Sequence, residues 1–458
     1  MNVPVMLQPE PSPGGPVQVF YQKPGAAQRP VVARAEGIYL WDTEGKRYID
    51  GSSGPIAVNL GHGNARIAQA AQQQMKLVSY ASRFFFENEP NRQLADLVTM
   101  HAGPGLERAF FVSGGSEATE TAIKLARQYA VLTGQASRWK VISRNPSYHG
   151  ATLGAVTISG DFVSERMYGP LTRPMPKIAA PFTYRIPQEH TIESYALACA
   201  EELERTILRE GETTVLAFIL EPIGGLATGA LVAHDIYYRR VREICSQYGV
   251  LLIHDEVMCG VGRAGKFLAS HYWPDASPDI VTLAKGLASG YTPLGAVLTS
   301  ARMVEVIAES GGFMHGYTYS SNPLSCAIGL AAVSETLELG LAENAAKMGQ
   351  RLESHLREIQ RHRRVLGDVR GRGLLMAIEI VKNQETRETF PASEQAIARI
   401  VALAMERGLL LYSRRTAEGK FGEWLMVAPP LTVTSTEIDV IAQLIDDSLK
   451  AFEAQENN

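Results

Sequence analysis

The chain has 458 residues, 45% of them hydrophobic and 20% charged, with a formal net charge of −4. This length supports two or three domains, or one large domain beside a smaller one. The charge balance predicts a soluble globular protein and excludes an electrostatic attraction to nucleic acid or to acidic membranes. Four cysteines, Cys199, Cys245, Cys259 and Cys326, are widely spaced and form no C-x-x-C pair. They read as small core residues in a reducing compartment, not as a disulfide or zinc framework, so no metal is expected. No stretch reaches the roughly eighteen uninterrupted apolar residues of a membrane helix; the best, residues 324–342, is broken by Glu335 and Glu338. The first basic residue is Lys23, and no apolar run follows Met1. A secretory signal is therefore not expected, and the expected location is the cytoplasm.

Residues 1–30 hold seven of the 24 prolines, which predicts an extended arm. A turn-rich stretch follows, punctuated by Gly45, Gly51, Gly54, Gly61 and Gly63. Residues 1–70 are expected to be this arm together with a segment packing on a smaller domain. From about residue 105, short apolar runs alternate with turns and helical stretches. The runs are 109–113, 140–143, 215–220, 250–254, 280–283 and 296–299, and the amphipathic stretches include 117–132 and 236–248. Alternation of this kind predicts an α/β fold: a mostly parallel sheet covered by helices on both faces, here over residues 71–325. Beyond that, long helical patterns at 323–339, 343–360, 393–407 and 435–453 surround a few strands. Residues 326–458 are accordingly expected to form a smaller α+β domain.

Open parallel sheets bind ligands beyond the carboxyl ends of their strands, so the residues following each run carry the functional reading. They are Gly114-Gly115-Ser116, the loop with Tyr148-His149-Gly150, Glu221-Pro222, Asp255-Glu256-Val257 and Ala284-Lys285-Gly286. Gly114-Gly115-Ser116 opens a helix whose free N–H groups suit a phosphate, or Ser116 is simply its N-cap. Tyr148 can stack on a flat ring or pack against protein. Asp255 after a buried strand needs a partner, which a protonated pyridine nitrogen or a structural cation supplies. Lys285 is either a turn lysine or a desolvated nucleophile able to form an imine. Taken jointly, these strand ends favour pyridoxal phosphate.

At this point the residues resemble the class III aminotransferases, within the fold-type-I group of pyridoxal-phosphate enzymes. The resemblance rests on Leu40-Trp41-Asp42, Asn59-Leu60-Gly61-His62-Gly63, Gly114-Gly115-Ser116-Glu117-Ala118 and Tyr148-His149-Gly150. It continues through Leu220-Glu221-Pro222, Asp255-Glu256-Val257, Gly260-Val261-Gly262-Arg263, Ala284-Lys285-Gly286, the stretch from His315 to Tyr319, Asn322-Pro323 and Ala428-Pro429-Pro430. It implies that Lys285 is the Schiff-base lysine and Asp255 the pyridinium partner. Val257 would lie on the ring face opposite Tyr148, and Gly115 and Ser116 would hold the phosphate. His149 and Glu221 complete the implied cofactor contacts, with Thr318 reaching the phosphate from a neighbouring subunit. A homodimer, or a tetramer built from dimers, follows from that last role. The family often has serine where Gly114 stands, threonine at Ala264 and glycine at Ser321.

The implied reaction is a ping-pong transfer of an amino group from an amine or amino acid to an oxo acid such as pyruvate. Decarboxylation, amine migration and phosphate elimination are the alternatives on the same fold. By position in the family, Ile56, Phe85 and Tyr148 are substrate-pocket candidates, though the Phe84-Phe85-Phe86 run fits a core equally well. Amine-type members use a mobile arginine before a Pro-Pro pair. Here Arg414 and Arg415 are the candidates, Arg414 preferred, and a surface turn is the alternative for both. Gly260 to Gly265 also satisfies G-x-G-x-x-G, the signature of a nicotinamide oxidoreductase. Asp255-Glu256 intervenes between its strand and the glycines, and no acid closes a strand about twenty residues on, so the cofactor reading stays with pyridoxal phosphate.

Overall fold

A computed structural model describes residues 29–456. Most of the proline-rich opening, residues 1–28, lies outside the described residues. Three sheets organise the rest. The first joins β1 (Val32–Glu36), β2 (Tyr39–Asp42) and β3 (Arg47–Asp50). The central sheet contains β4 (Arg108–Val112), β5 (Lys140–Asn145), β6 (Lys177–Ala179), β7 (Val215–Leu220), β8 (Leu251–Asp255), β9 (Ile280–Leu283) and β10 (Gly295–Thr299). Its order is β4-β10-β9-β8-β7-β5-β6, and β10 alone runs against its neighbours. Every apolar run expected from the sequence is a strand of this sheet. The short edge strand β6 was not expected; three residues are too few to carry a period.

Strand β7 explains why the runs are uniformly apolar. All six of its residues are buried. Phe218 and Leu220 belong to one apolar cluster and Ile219 to another, so the sheet has a core on each face. Burying each such side chain contributes about 1.5–3 kcal/mol. The helix Gly115–Leu132 covers one face, and Ile192–Glu210 and Asp235–Tyr248 cover the other. Asp235–Tyr248 stops at Gly249, whose φ of 62° a side chain would resist.

The third sheet is antiparallel and contains β11 (Leu366–Arg372), β12 (Leu375–Ile380), β14 (Tyr412–Thr416) and β15 (Gly422–Val427), in the order β11-β12-β15-β14. Between them in sequence, β13 (Leu409–Leu410) leaves to pair in parallel with β3, Leu409 opposite Ile49. Segments far apart in sequence therefore share one sheet. The helices Leu341–His362 and Ser435–Glu456 pack together and are joined by ion pairs of Arg351 with Asp439 and Arg363 with Asp446, each at 2.6 Å.

The glycine-rich turn after β8 is not a dinucleotide site. No α-helix follows Gly265 closely enough to present its N–H groups, only a short turn at Ala269–Tyr272. Arg263 is instead buried within it, donating to Pro429 O at 2.6 Å and Asn59 Oδ1 at 2.9 Å, which staples the turn to distant segments. Among the described residues, no single helix is long and apolar enough to cross a membrane.

Candidate active site

The strands β4, β5, β7, β8 and β9 end at one edge of the central sheet, where antiparallel β10 begins. A cavity of about 480 Å³ opens at that edge. Its walls include Gly114, Gly115, Ser116, Tyr148, His149, Glu221, Asp255, Val257, Lys285 and Arg414. Residues from five separate strand ends thus converge on one space, as the crossover topology dictates.

Asp255 is the last residue of β8 and is 4% exposed. Its Oδ1 accepts from Val257 N at 3.1 Å and from Thr282 Oγ1 at 3.2 Å. Its Oδ2 lies 2.8 Å from His149 Nδ1, which donates when the carboxylate is ionised. Three donors therefore fix the carboxylate and leave it facing the cavity. Lys285 follows β9 with φ +45°, an uncommon backbone for a residue with a side chain. Close packing enforces that turn: a Cβ on Gly286 would collide with Asn59, which Arg263 holds in place. Burial pushes the Lys285 ammonium down to about 8, against the opposing pull of Asp255 and Glu221. Its amine is matched to proton transfer and nucleophilic attack near neutral pH.

On the opposite wall, the helix Gly115–Leu132 begins without a side-chain cap. Glu117 reaches back to Ser113 N at 2.7 Å, and Ser116 Oγ accepts from Ala151 N at 3.0 Å. The first-turn N–H groups remain available to an anion. Gly115 is required by contact, since a Cβ there would stand 2.8 Å from Val257 Cγ1. Glu221 Oε1 accepts from Gly225 N at 3.0 Å, while Oε2 has only Arg144 at 3.8 Å. Burial raises the Glu221 carboxyl above the usual range. Among the described residues, neither Glu221 Oε2 nor His149 Nε2, both buried, has a hydrogen-bond partner.

Other expected residues fall elsewhere. Ile56 is 1% exposed and packs in the core with Trp424 and Met426; its neighbours Pro55 and Ala57 line the cavity instead. Its φ of 60° turns it inward. Phe85 is 81% exposed and does not reach the cavity. Thr318 lies in a separate depression with Tyr80, Arg83, Phe84 and Met314. The two arginines diverge because strand residues alternate faces. Tyr412 and Arg414 line the cavity, whereas Arg415 pairs at 2.9 Å with Glu423, its partner across the ladder to β15. Sequence reading missed Tyr412, although its two-residue spacing from Arg414 was a usable signal. It also missed Leu226, Met258 and the stretch Thr292-Pro293-Leu294, which carry no chemical signature.

Comparison with known proteins places this geometry. The family described as aminotransferase class-III matches residues 21–449. A putrescine–pyruvate aminotransferase of Pseudomonas aeruginosa is 34% identical, over 90% of this chain and 89% of its own. An (S)-enantioselective omega-transaminase from Thermomicrobium roseum superposes with a TM-score of 0.87 at 37% identity, covering 93% of each chain. An omega transaminase from Pseudomonas jessenii, solved in complex with PMP, gives 0.87 at 31% identity, again over 93% of each chain. With the family matched along almost its whole length and its fold reproduced, the chain belongs to the class-III aminotransferases and is an enzyme that transfers amino groups.

Proposed function

We propose that this aminotransferase uses pyridoxal phosphate held by Lys285 and moves an amino group from an amine to an oxo acid such as pyruvate. The observation that carries the reading is the meeting, in one cavity, of a lysine, a fixed carboxylate and a helix N-terminus. The residues fit the cofactor by their own unmet needs. Among the described residues the Lys285 amine makes no hydrogen bond or ion pair, and His149 Nε2 and Glu221 Oε2 are buried and unpartnered. The Gly115 backbone packs against Val257 with no room for a side chain.

Bound there, the cofactor supplies an electron-accepting ring and carries the amino group between the two half-reactions. Asp255 would face the ring nitrogen, its charge favouring a proton on that atom, with His149 and Thr282 keeping the carboxylate oriented. The N–H groups at Gly115 and Ser116, with the Ser116 hydroxyl, would hold the phosphate. Tyr148 and Val257 would bound the ring on its two faces. The Lys285 amine would take the proton from the substrate carbon that bears the amino group and hand it on, acting first as base and then as acid. Pro55, Ala57 and Tyr148 give the substrate side an apolar wall, which suits an uncharged amine substituent.

We further infer a homodimer, with Thr318 and Phe85 serving the neighbouring subunit's cavity. The support is exposure: Phe84 and Phe85 are each 81% exposed and Met314 is 91% exposed, around the depression that holds Thr318. An apolar patch of this kind is characteristic of an interface.

Lys285→Ala tests the central assignment. The purified variant should lack the visible absorbance band of bound cofactor. After borohydride treatment, peptide mass analysis should find the cofactor mass on Lys285 of the wild type and on no residue of the variant. Cofactor mass fixed on another lysine would overturn the assignment.

A further inference from the structure

Arg414 does not stand alone in the cavity wall. Its Nη2 donates to Asp161 Oδ1, and the side chains of the pair are 22% and 8% exposed. The second carboxylate oxygen, Asp161 Oδ2, accepts from Ser164 Oγ at 2.6 Å. Asp161 is held at this place by its neighbours. Gly160 packs so tightly on the backbone of Arg144 and Asn145 that a side chain there would clash, and Gly160 N donates to Ser147 Oγ at 3.0 Å. His149 N donates to Ser159 Oγ at 2.8 Å. The segment 159–161 is therefore tied to the loop that carries Tyr148 and His149, and its carboxylate is presented to Arg414 from outside the cavity lining.

The contact with Asp161 uses one of the five guanidinium donors, and no other hydrogen bond engages the Arg414 side chain among the described residues. The neighbouring arginine offers no substitute, because Arg415 is committed to Glu423 on the other face of β14. A cavity that takes an apolar amine in one half-reaction and a carboxylate in the other must neutralise Arg414 in the first and free it in the second. Asp161 is placed to do the first.

We propose that Asp161 is a built-in competitor for the substrate carboxylate: it pairs with Arg414 when an uncharged amine substituent occupies the cavity and is displaced when an oxo acid binds. Asp161 is thus a positioning and specificity-determining residue, acting through Arg414. The inference rests on the proposed amine and oxo-acid half-reactions. If Arg414 is free of Asp161 about one-tenth of the time, the competition weakens carboxylate binding about tenfold.

The test is calorimetric titration of the holoenzyme with propionate, which binds without reacting, with propionamide as the uncharged control. Steady-state KM and kcat for pyruvate and for an apolar amine are measured beside it. Asp161→Asn keeps the shape and can still hydrogen-bond Ser164 and Arg414, but carries no charge. It should tighten propionate about tenfold, leave propionamide unchanged, lower KM for pyruvate more than kcat, and raise KM for the amine. Arg414→Ala should weaken propionate about ten- to a hundredfold, and adding Asp161→Asn to it should then change nothing. If Asp161→Asn weakens propionate or leaves it unaltered while Arg414→Ala abolishes its binding, the competition idea is overturned but the carboxylate site stands. If Arg414→Ala leaves propionate binding intact, the role of Arg414 in the proposed function falls, and the inference with it.

Discussion

The floor of the cavity and its exposed rim are built on different principles. Asp255 and Lys285 stand at strand ends where every fixing contact comes from the same chain: Thr282, His149 and Val257 for the acid, Asn59 behind Gly286 for the lysine. The segments carrying Phe85 and Thr318 leave Phe84, Phe85, Met314 and Tyr319 exposed instead, with Tyr80 against Tyr319 at 6.2 Å. Both regions match the family's pattern. The difference teaches that the proposed acid–base groups are held in place by one chain, whereas the expected phosphate and substrate residues at the rim do not reach that chain's own cavity.

The largest effect should come from the floor. Asp255→Asn preserves the shape but removes the charge that, in the proposed function, would favour a protonated ring nitrogen. Turnover at saturating cofactor should fall roughly a hundredfold or more, with cofactor binding retained by absorbance. Near-normal turnover would break the claim that the floor is electrostatically preorganised.

Lys285 gives a second, graded test. The folded chain holds this group near 8, below the ordinary lysine value of 10.5, because burial disfavours the ammonium. In the apoprotein the unfolded chain binds this proton over that window and the folded chain does not. Folded stability should therefore rise with pH between about 8 and 10.5 on account of this residue. The rate at which apoprotein captures pyridoxal phosphate should climb up to tenfold per pH unit below about 8 and flatten above it. Stopped-flow absorbance measures the capture. A profile with no inflection below pH 9 would contradict the desolvated lysine.

The smallest effect should come from the rim. Thr318→Ala should raise the cofactor dissociation constant about tenfold, the loss of one hydrogen bond to a charged group. Turnover at saturating cofactor should be nearly untouched. Diluting the wild type until sedimentation shows monomer should release cofactor to the same degree or more. A monomer that keeps its cofactor tightly would show that the rim does not complete the site.

The outline of the central sheet was legible because its signals are local. Strands β7 and β9 begin and end where their apolar runs do, and the turn residues after them mark the site edge directly. Gly115 was legible as a phosphate-type glycine, yet its additional reason, contact with Val257, joins residues far apart in sequence. The pairing of β13 with β3 was not legible, since two residues carry no period and their partner lies at the other end of the chain.

By itself the sequence determined the α/β order, the strand ends and the residue types placed there, which suffice to single out Lys285 and Asp255 as candidates. Hydrophobic period and turn chemistry are written in neighbouring residues, and parallel topology then brings the strand ends together. Tertiary structure alone decided which of Arg414 and Arg415 lines the cavity. The pattern Ser413-Arg414-Arg415 is silent on which face is which until β14 pairs with β15. That register turns Arg415 to the buried Glu423 and Arg414 to the cavity and to Asp161. It likewise sent Ile56 into the core and left Phe85 outside, because burial is settled by contacts from remote segments and not by a residue's own neighbours.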